Sequence, residues 1–248
     1  MPEILRFLLV FIVGLIASFL GINTGGGGLV SIPALIFLGF PPQIAIATNK
    51  FGSLGMSGTG LFRFHKSGEV DYKVAIPIAI LSIIGAYFGA NSLLTIPNQI
   101  LEKIVGVLIL AVLGVVLLDR KSGLEKKELN RPALKIFGYL SFLFVGFWGA
   151  FFGGGFAIFS SYILILIFGK TLIESAGTQQ LLATGIAVMA VFIYGTHGII
   201  DWFYGAFLII GMSLGSYLGA SYGIKKGDTW VKKLFVVMVL ASTIKLIL

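Results

Sequence analysis

The chain of 248 residues is 57% hydrophobic and 11% charged, with a mean hydropathy of +1.03 and a formal net charge of +8. A water-soluble domain carries about 25% charged residues, so this composition excludes an ordinary soluble fold, and the unbroken apolar runs exclude the alternating pattern of a membrane barrel. Cysteine is absent, which removes disulfides, thiolate metal sites and thiol nucleophiles together.

In chain order the apolar segments are 4–22, 28–38, 44–62, 74–94 and 101–118, then 134–152, 155–168, 173–194, 202–222 and 231–247. The first run is longer than a secretory h-region, so it reads as a retained transmembrane helix and not as a signal peptide. Segment 28–38 reaches only about 16 Å at 1.5 Å per residue, against a hydrocarbon core of about 30 Å. The lysines and arginines cluster in the turns between runs, which reads as membrane topology and a lipid-bilayer partner, with no nucleic acid.

The second half of the chain repeats the first. In one constant register, Gly39 falls on Gly169, Thr48 on Thr178, Asp71 on Asp201, Gly85 on Gly215, Tyr87 on Tyr217 and Lys103 on Lys233. Upstream the register shifts, and Gly26, Gly27 and Gly28 fall on Gly153, Gly154 and Gly155. The fold expected is an all-α integral membrane protein with two homologous five-segment repeats, each with a short, broken second segment. Residues 1–118 form the first repeat, 119–133 a charged cytoplasmic linker and 134–248 the second repeat. If all five segments of each repeat cross, fourteen basic residues lie on the linker's side and three on the other. If the short segments do not cross, the split is eleven against six. The positive-inside rule therefore favours five crossings, which makes the repeats inverted. Inverted repeats with glycine-interrupted segments at matching places point to a transporter site near mid-membrane.

Three constellations carry chemistry. Asn23, Thr24, Gly25, Gly26, Gly27 and Gly28 are mirrored by Gly153, Gly154 and Gly155. Such a run unwinds a helix, and its free N–H groups beside a short helix N-terminus suit an anion; the bland alternative is close helix packing. A nucleotide loop is excluded, because the Lys-Ser/Thr of a P-loop is missing. Next, Thr48, Asn49 and Lys50 are mirrored by Thr178, Gln179 and Gln180. A lysine inside an apolar segment is costly and marks a functional position, where it would neutralise an anion while the polar neighbours donate hydrogen bonds. The alternative is a lysine snorkelling to the interface. Last, Gly68 to Tyr72 is mirrored by Gly198 to Trp202, each with an Asp placed to cap the following helix. His65 and His197 lie beside these turns as ordinary loop residues. No catalytic set, metal site or cofactor motif is present, so the chain reads as a non-enzyme.

At these residues the chain resembles the TauE/SafE family of membrane permeases, the sulfite exporters. The resemblance covers both halves: Gly25–Gly28 followed by Pro33, Ala47 to Lys50, and Gly68 to Asp71, then Gly153–Gly155, Gly177 to Gln180 and Gly198 to Trp202. Ser160 departs from the pattern where the first half has Pro33. The resemblance implies a plasma or inner membrane secondary transporter of small anions such as sulfite, sulfonates, sulfoacetate or thiosulfate, with export and proton coupling in some members. An anion channel and a non-transporting membrane scaffold are the rival readings.

Overall fold

The computed structural model describes residues 3–24, 27–101, 103–105, 107, 132–227 and 229–230. Among them the regular structure is helical, without a strand. The long helices are α1 (Glu3–Thr24), α3 (Pro42–Lys66), α4 (Tyr72–Thr95), α5 (Pro132–Phe151), α7 (Leu172–Thr196) and α8 (Trp202–Lys226), and the short ones are α2 (Gly27–Phe37) and α6 (Phe156–Leu166). The expected segments 101–118 and 231–247 lie largely outside the described residues.

The helix limits follow from local chemistry. Pro42 sits in the first turn of α3, where its missing N–H costs nothing. Thr171 and Glu174 form a reciprocal capping box at the start of α7, which satisfies two otherwise orphaned donors. Asp71 accepts from the N–H groups of Lys73 and Val74, and Asp201 from that of Tyr204, so both aspartates cap as their sequence position implies. Gly68 and Gly198 take φ of +75° and +67° in the turns before them, a region that side chains disfavour. Helix α3 extends past the apolar limits 44–62, because Arg63, His65 and Lys66 continue it as its polar last turn.

Among the described residues, five helices are long and apolar enough to cross a membrane: α1, α4, α5, α7 and α8. Helix α3 matches α7 in length, at 25 residues, but has a lower hydropathy because it carries Asn49, Lys50, Arg63, His65 and Lys66; its Thr48, Asn49, Lys50 and Ser57 are turned inward and buried. Ile76, Ile80, Ile84 and Phe88 form an exposed apolar stripe down α4, as do Phe203, Ile210, Leu214 and Leu218 down α8. A hydrocarbon surround accounts for such stripes where water would not. The chain is a multi-pass membrane protein.

The helices interlock across the two halves. Helix α1 runs parallel to α8: Phe7 meets Phe203 and Phe207, Ser18 Oγ donates to Met212 O at 2.6 Å, and Asn23 Nδ2 donates to Gly219 O at 2.7 Å. Helix α4 runs parallel to α5, with Ser82 Oγ donating to Phe142 O at 3.2 Å and Gly89 pressed on the backbone of Phe147. Glycines at 211, 215 and 219 let α8 lie against the backbone of Phe11, Leu15 and Phe19, the close approach that membrane helices use in place of a hydrophobic drive. Helix α3 is parallel to α8, from Thr48 at Asp201 to Met56 O at Ser216 Oγ. Helix α7 is parallel to α4, from Thr178 at Asp71 to Gly185 at Ile83. Helices α3 and α7 cross in opposite senses: Phe64, late in α3, meets Gly177, early in α7, while the turn after α7 reaches Thr48.

Candidate functional site

Where α3 and α7 cross, they enclose a cavity of about 50 Å³ together with the starts of α2 and α6. A buried water needs roughly 10–15 Å³, so the space suits a few waters or one small ion. From α3 come Asn49, Lys50, Ser53, Met56 and Ser57; from α7 come Gln179, Gln180, Ala183, Ile186 and Ala187. Under the repeat these two sets are counterparts, position for position. Their chemistry differs: α3 supplies a cation and two hydroxyls, whereas α7 supplies two amides and then an apolar wall. Lys50 is eight residues beyond Pro42, about 12 Å along a helix, which places the cavity well inside the bundle.

Lys50 is 3% exposed. Among the described residues no carboxylate pairs with it, whereas Lys170 pairs with Asp71 at 2.5 Å. Its Nζ lies against the backbone of Gly153 and 5.6 Å from the centroid of the Phe156 ring. An ammonium withdrawn from water without a counter-charge is costly by several kcal/mol, and an anion in the cavity would offset part of that cost. Gln179 is 1% exposed and its Nε2 has no partner; its Oε1 receives a long 3.5 Å contact from Ser161 Oγ. The matching pair in the first half is tighter, with Ser31 Oγ donating to Asn49 Oδ1 at 2.5 Å. Gln180 Nε2 is turned back onto Ala176 O at 2.6 Å.

The glycine breaks meet at this point. Gly28 faces the Gly153 carbonyl and Gly154 so closely that a Cβ there would sit 3.1–3.2 Å from them. Gly27 and Gly28 open α2, while Phe156 and Ala157 open α6, and all four line the cavity. First-turn N–H groups have no partner within their own helix, and the positive ends of two helices therefore converge on the space beside Lys50.

The structure distributes the sequence-derived candidates unevenly. Gly27, Asn49, Lys50, Gly153, Gln179 and Gln180 line the cavity. Gly154 and Gly155 complete the turn behind Gly153, with Gly155 as the N-cap of α6 at φ +76°. Asn23 points to α8, and Thr24 Oγ1 donates to Leu20 O at 2.9 Å. Thr48 and Thr178 reach the turns at Asp201 and Asp71. Gly25 and Gly26 lie outside the described residues. Ser53 and Ser57 were not singled out by sequence; their spacing of three and seven from Lys50 marks the same helical face.

The family described as Sulfite exporter TauE/SafE matches residues 9–246. A probable membrane transporter protein of Haemophilus influenzae is 32% identical over 241 residues, covering 96% of this chain and 93% of that protein. The probable membrane transporter protein ORF9 of Sinorhizobium sp is 28% identical over 245 residues, with coverage of 99% and 93%. YfcA of Escherichia coli K12, also named a probable membrane transporter protein, is 28% identical over 242 residues, with coverage of 96% and 88%. No solved structure matches the chain.

Proposed function

The chain belongs to the sulfite exporter TauE/SafE family, and from that premise we propose that it is a secondary carrier of small sulfur-containing or organic anions, of the sulfite, sulfonate, sulfoacetate or thiosulfate type. The observation that carries the reading is Lys50: a buried, unpaired cation facing two helix N-termini in a cavity inside the bundle. The ammonium and the first-turn N–H groups would hold the anion's oxygens, with Asn49, Gln179 and the α3 hydroxyls around them. The apolar wall of Ala183, Ile186 and Ala187 would keep bulk water from competing. The described cavity residues include no carboxylate, so a coupled proton would travel on Lys50 or on the anion.

Alternating access fits a duplicated chain whose halves, 1–118 and 134–248, insert in opposite senses across the linker 119–133. Supporting this is the direction of counterpart helices: α3 and α7 are antiparallel, and α1 lies parallel to α8, the counterpart of α4. Opposed repeats supply two related states, one open to each side.

The test is thermal stability of the purified protein across sulfite, sulfate, thiosulfate, taurine, sulfoacetate and chloride. A site filled at 100 times its dissociation constant stabilises by about 2.7 kcal/mol. The expected result is a selective upward shift that Lys50→Ala abolishes. A shift that survives in Lys50→Ala would remove Lys50 from the site, and a flat profile in every anion would remove the carrier reading.

A further inference from the structure

We infer that Trp148 is a positioning residue, which holds the Gly153–Gly155 turn against the ammonium of Lys50; this rests on the anion-site reading above. Trp148 grips the turn at three points. Its indole Nε1 donates to Gly154 O at 3.0 Å, and its own carbonyl accepts the N–H groups of Phe152 and Gly153, each at 3.0 Å. The ring is fixed in turn by edge-on contacts with Phe152 and Phe159, at 6.3 and 5.9 Å between centroids.

What the turn does depends on its closeness to Lys50. Gly153 takes φ of +83°, and a Cβ there would overlap Lys50 Nζ. The lysine head group thus rests on bare backbone, and a displacement of that backbone moves the cation relative to the start of α6. The Gly154 carbonyl is the tether, because the indole is the side chain that donates to it. In the register that aligns the glycine runs, Trp148 falls on Gly21, which lines the same cavity. A glycine has no side chain to tether the first break in this way. The indole tether thus sits on the turn that touches Lys50.

The experiment replaces the indole N–H and leaves the ring volume in place. Benzothienylalanine at position 148 keeps the fused ring and lacks the donor; Trp148→Phe is the genetically encoded companion. Each purified variant is compared with the parent for sulfite, thiosulfate and sulfoacetate binding, for uptake in proteoliposomes, and for amide exchange across 149–157. The expected result is faster exchange in that stretch, with KM raised about tenfold for the loss of one hydrogen bond's worth of positioning and little change in maximal rate. Unchanged KM in a variant whose turn exchanges faster would overturn the positioning role and leave the anion site standing. Equal losses of folded yield and maximal rate in both variants, with KM unchanged, would reduce Trp148 to packing. A parent that binds none of the anions would overturn the site reading itself, and the positioning role with it.

Discussion

The hydroxyl of Thr48 accepts the backbone N–H of Asp201 at 3.0 Å, and its counterpart Thr178 accepts the N–H of Asp71 at 3.1 Å. Each threonine stands about two turns into the third helix of one half and receives the residue that caps the fourth helix of the other. The two bonds tie the halves together at opposite ends of the bundle. Thr48→Val keeps the shape and leaves the Asp201 N–H without its acceptor, at a cost of about 1–3 kcal/mol. Thermal unfolding in detergent should show that loss in both Thr48→Val and Thr178→Val, and Thr48→Ser should recover most of it.

The ion pair between Lys170 and Asp71 makes one of these ends sensitive to acid. Partial burial pushes the Asp71 carboxyl up, but the Lys170 hydrogen bond and charge and the N–H groups of Val74 and Lys73 outweigh it and hold its pKa below the ordinary carboxylate value. A depressed pKa adds stability that is complete above the unfolded value, about 3.9, and is lost as pH falls through the folded one. Asp71→Asn should therefore melt below the parent at pH 7, and the gap should close as both are taken below about pH 4. A gap that is constant with pH would mean that the charge contributes nothing.

Glycines that look alike in sequence should behave in opposite ways. A Cβ at Gly215 would overlap the carbonyl of Leu15, and one at Gly89 the carbonyl of Phe147, whereas Gly58 meets nothing within 4 Å. Gly215→Ala and Gly89→Ala should each destabilise by about 1–3 kcal/mol through overpacking. Gly58→Ala should be neutral or stabilise by up to about 1 kcal/mol, because alanine is the better helix former. Melting temperatures of the three variants decide it.

The natural absence of cysteine allows membrane orientation to be read by single-cysteine labelling. Ser67 and His197 are exposed counterparts in the turns after α3 and α7. With inverted repeats, Ser67→Cys should react with an impermeant maleimide only after the cells are opened, and His197→Cys should react in intact cells. Labelling of both from the same side would rule out the inversion.

Much of this arrangement was legible from residue type alone. Among the described residues the apolar runs are helices, the aspartates before Tyr72 and Trp202 cap the helices that follow, and the lysine among apolar neighbours lines a cavity. The pairing of helices was not legible: the glycines at 211, 215 and 219 announce a close neighbour, yet nothing in them names α1. The register of the short segments was also hidden. Ser31 pairs with Asn49 and Ser161 with Gln179. Ser31 matches Ser161 in the same register that matches Asn49 to Gln179, so that register is restored before α6 and not after it. The position matching Pro33 is then Ile163, in place of Ser160. The inserted residues lie in the Gly153–Gly155 turn, where loop geometry and not hydropathy sets the length.

The parallel contact of α1 with α8 has a consequence for how the protein is made. Translation delivers α1 to the bilayer first and α8 last of these helices, so the packing surface of α1, including Ser18 and Asn23, waits for a partner through most of synthesis. Helix α5, by contrast, inserts after α4 and finds its surface already there. A chain halted between α4 and α5 would hold α1 with its α8-facing surface, Ser18 and Asn23 included, still uncovered.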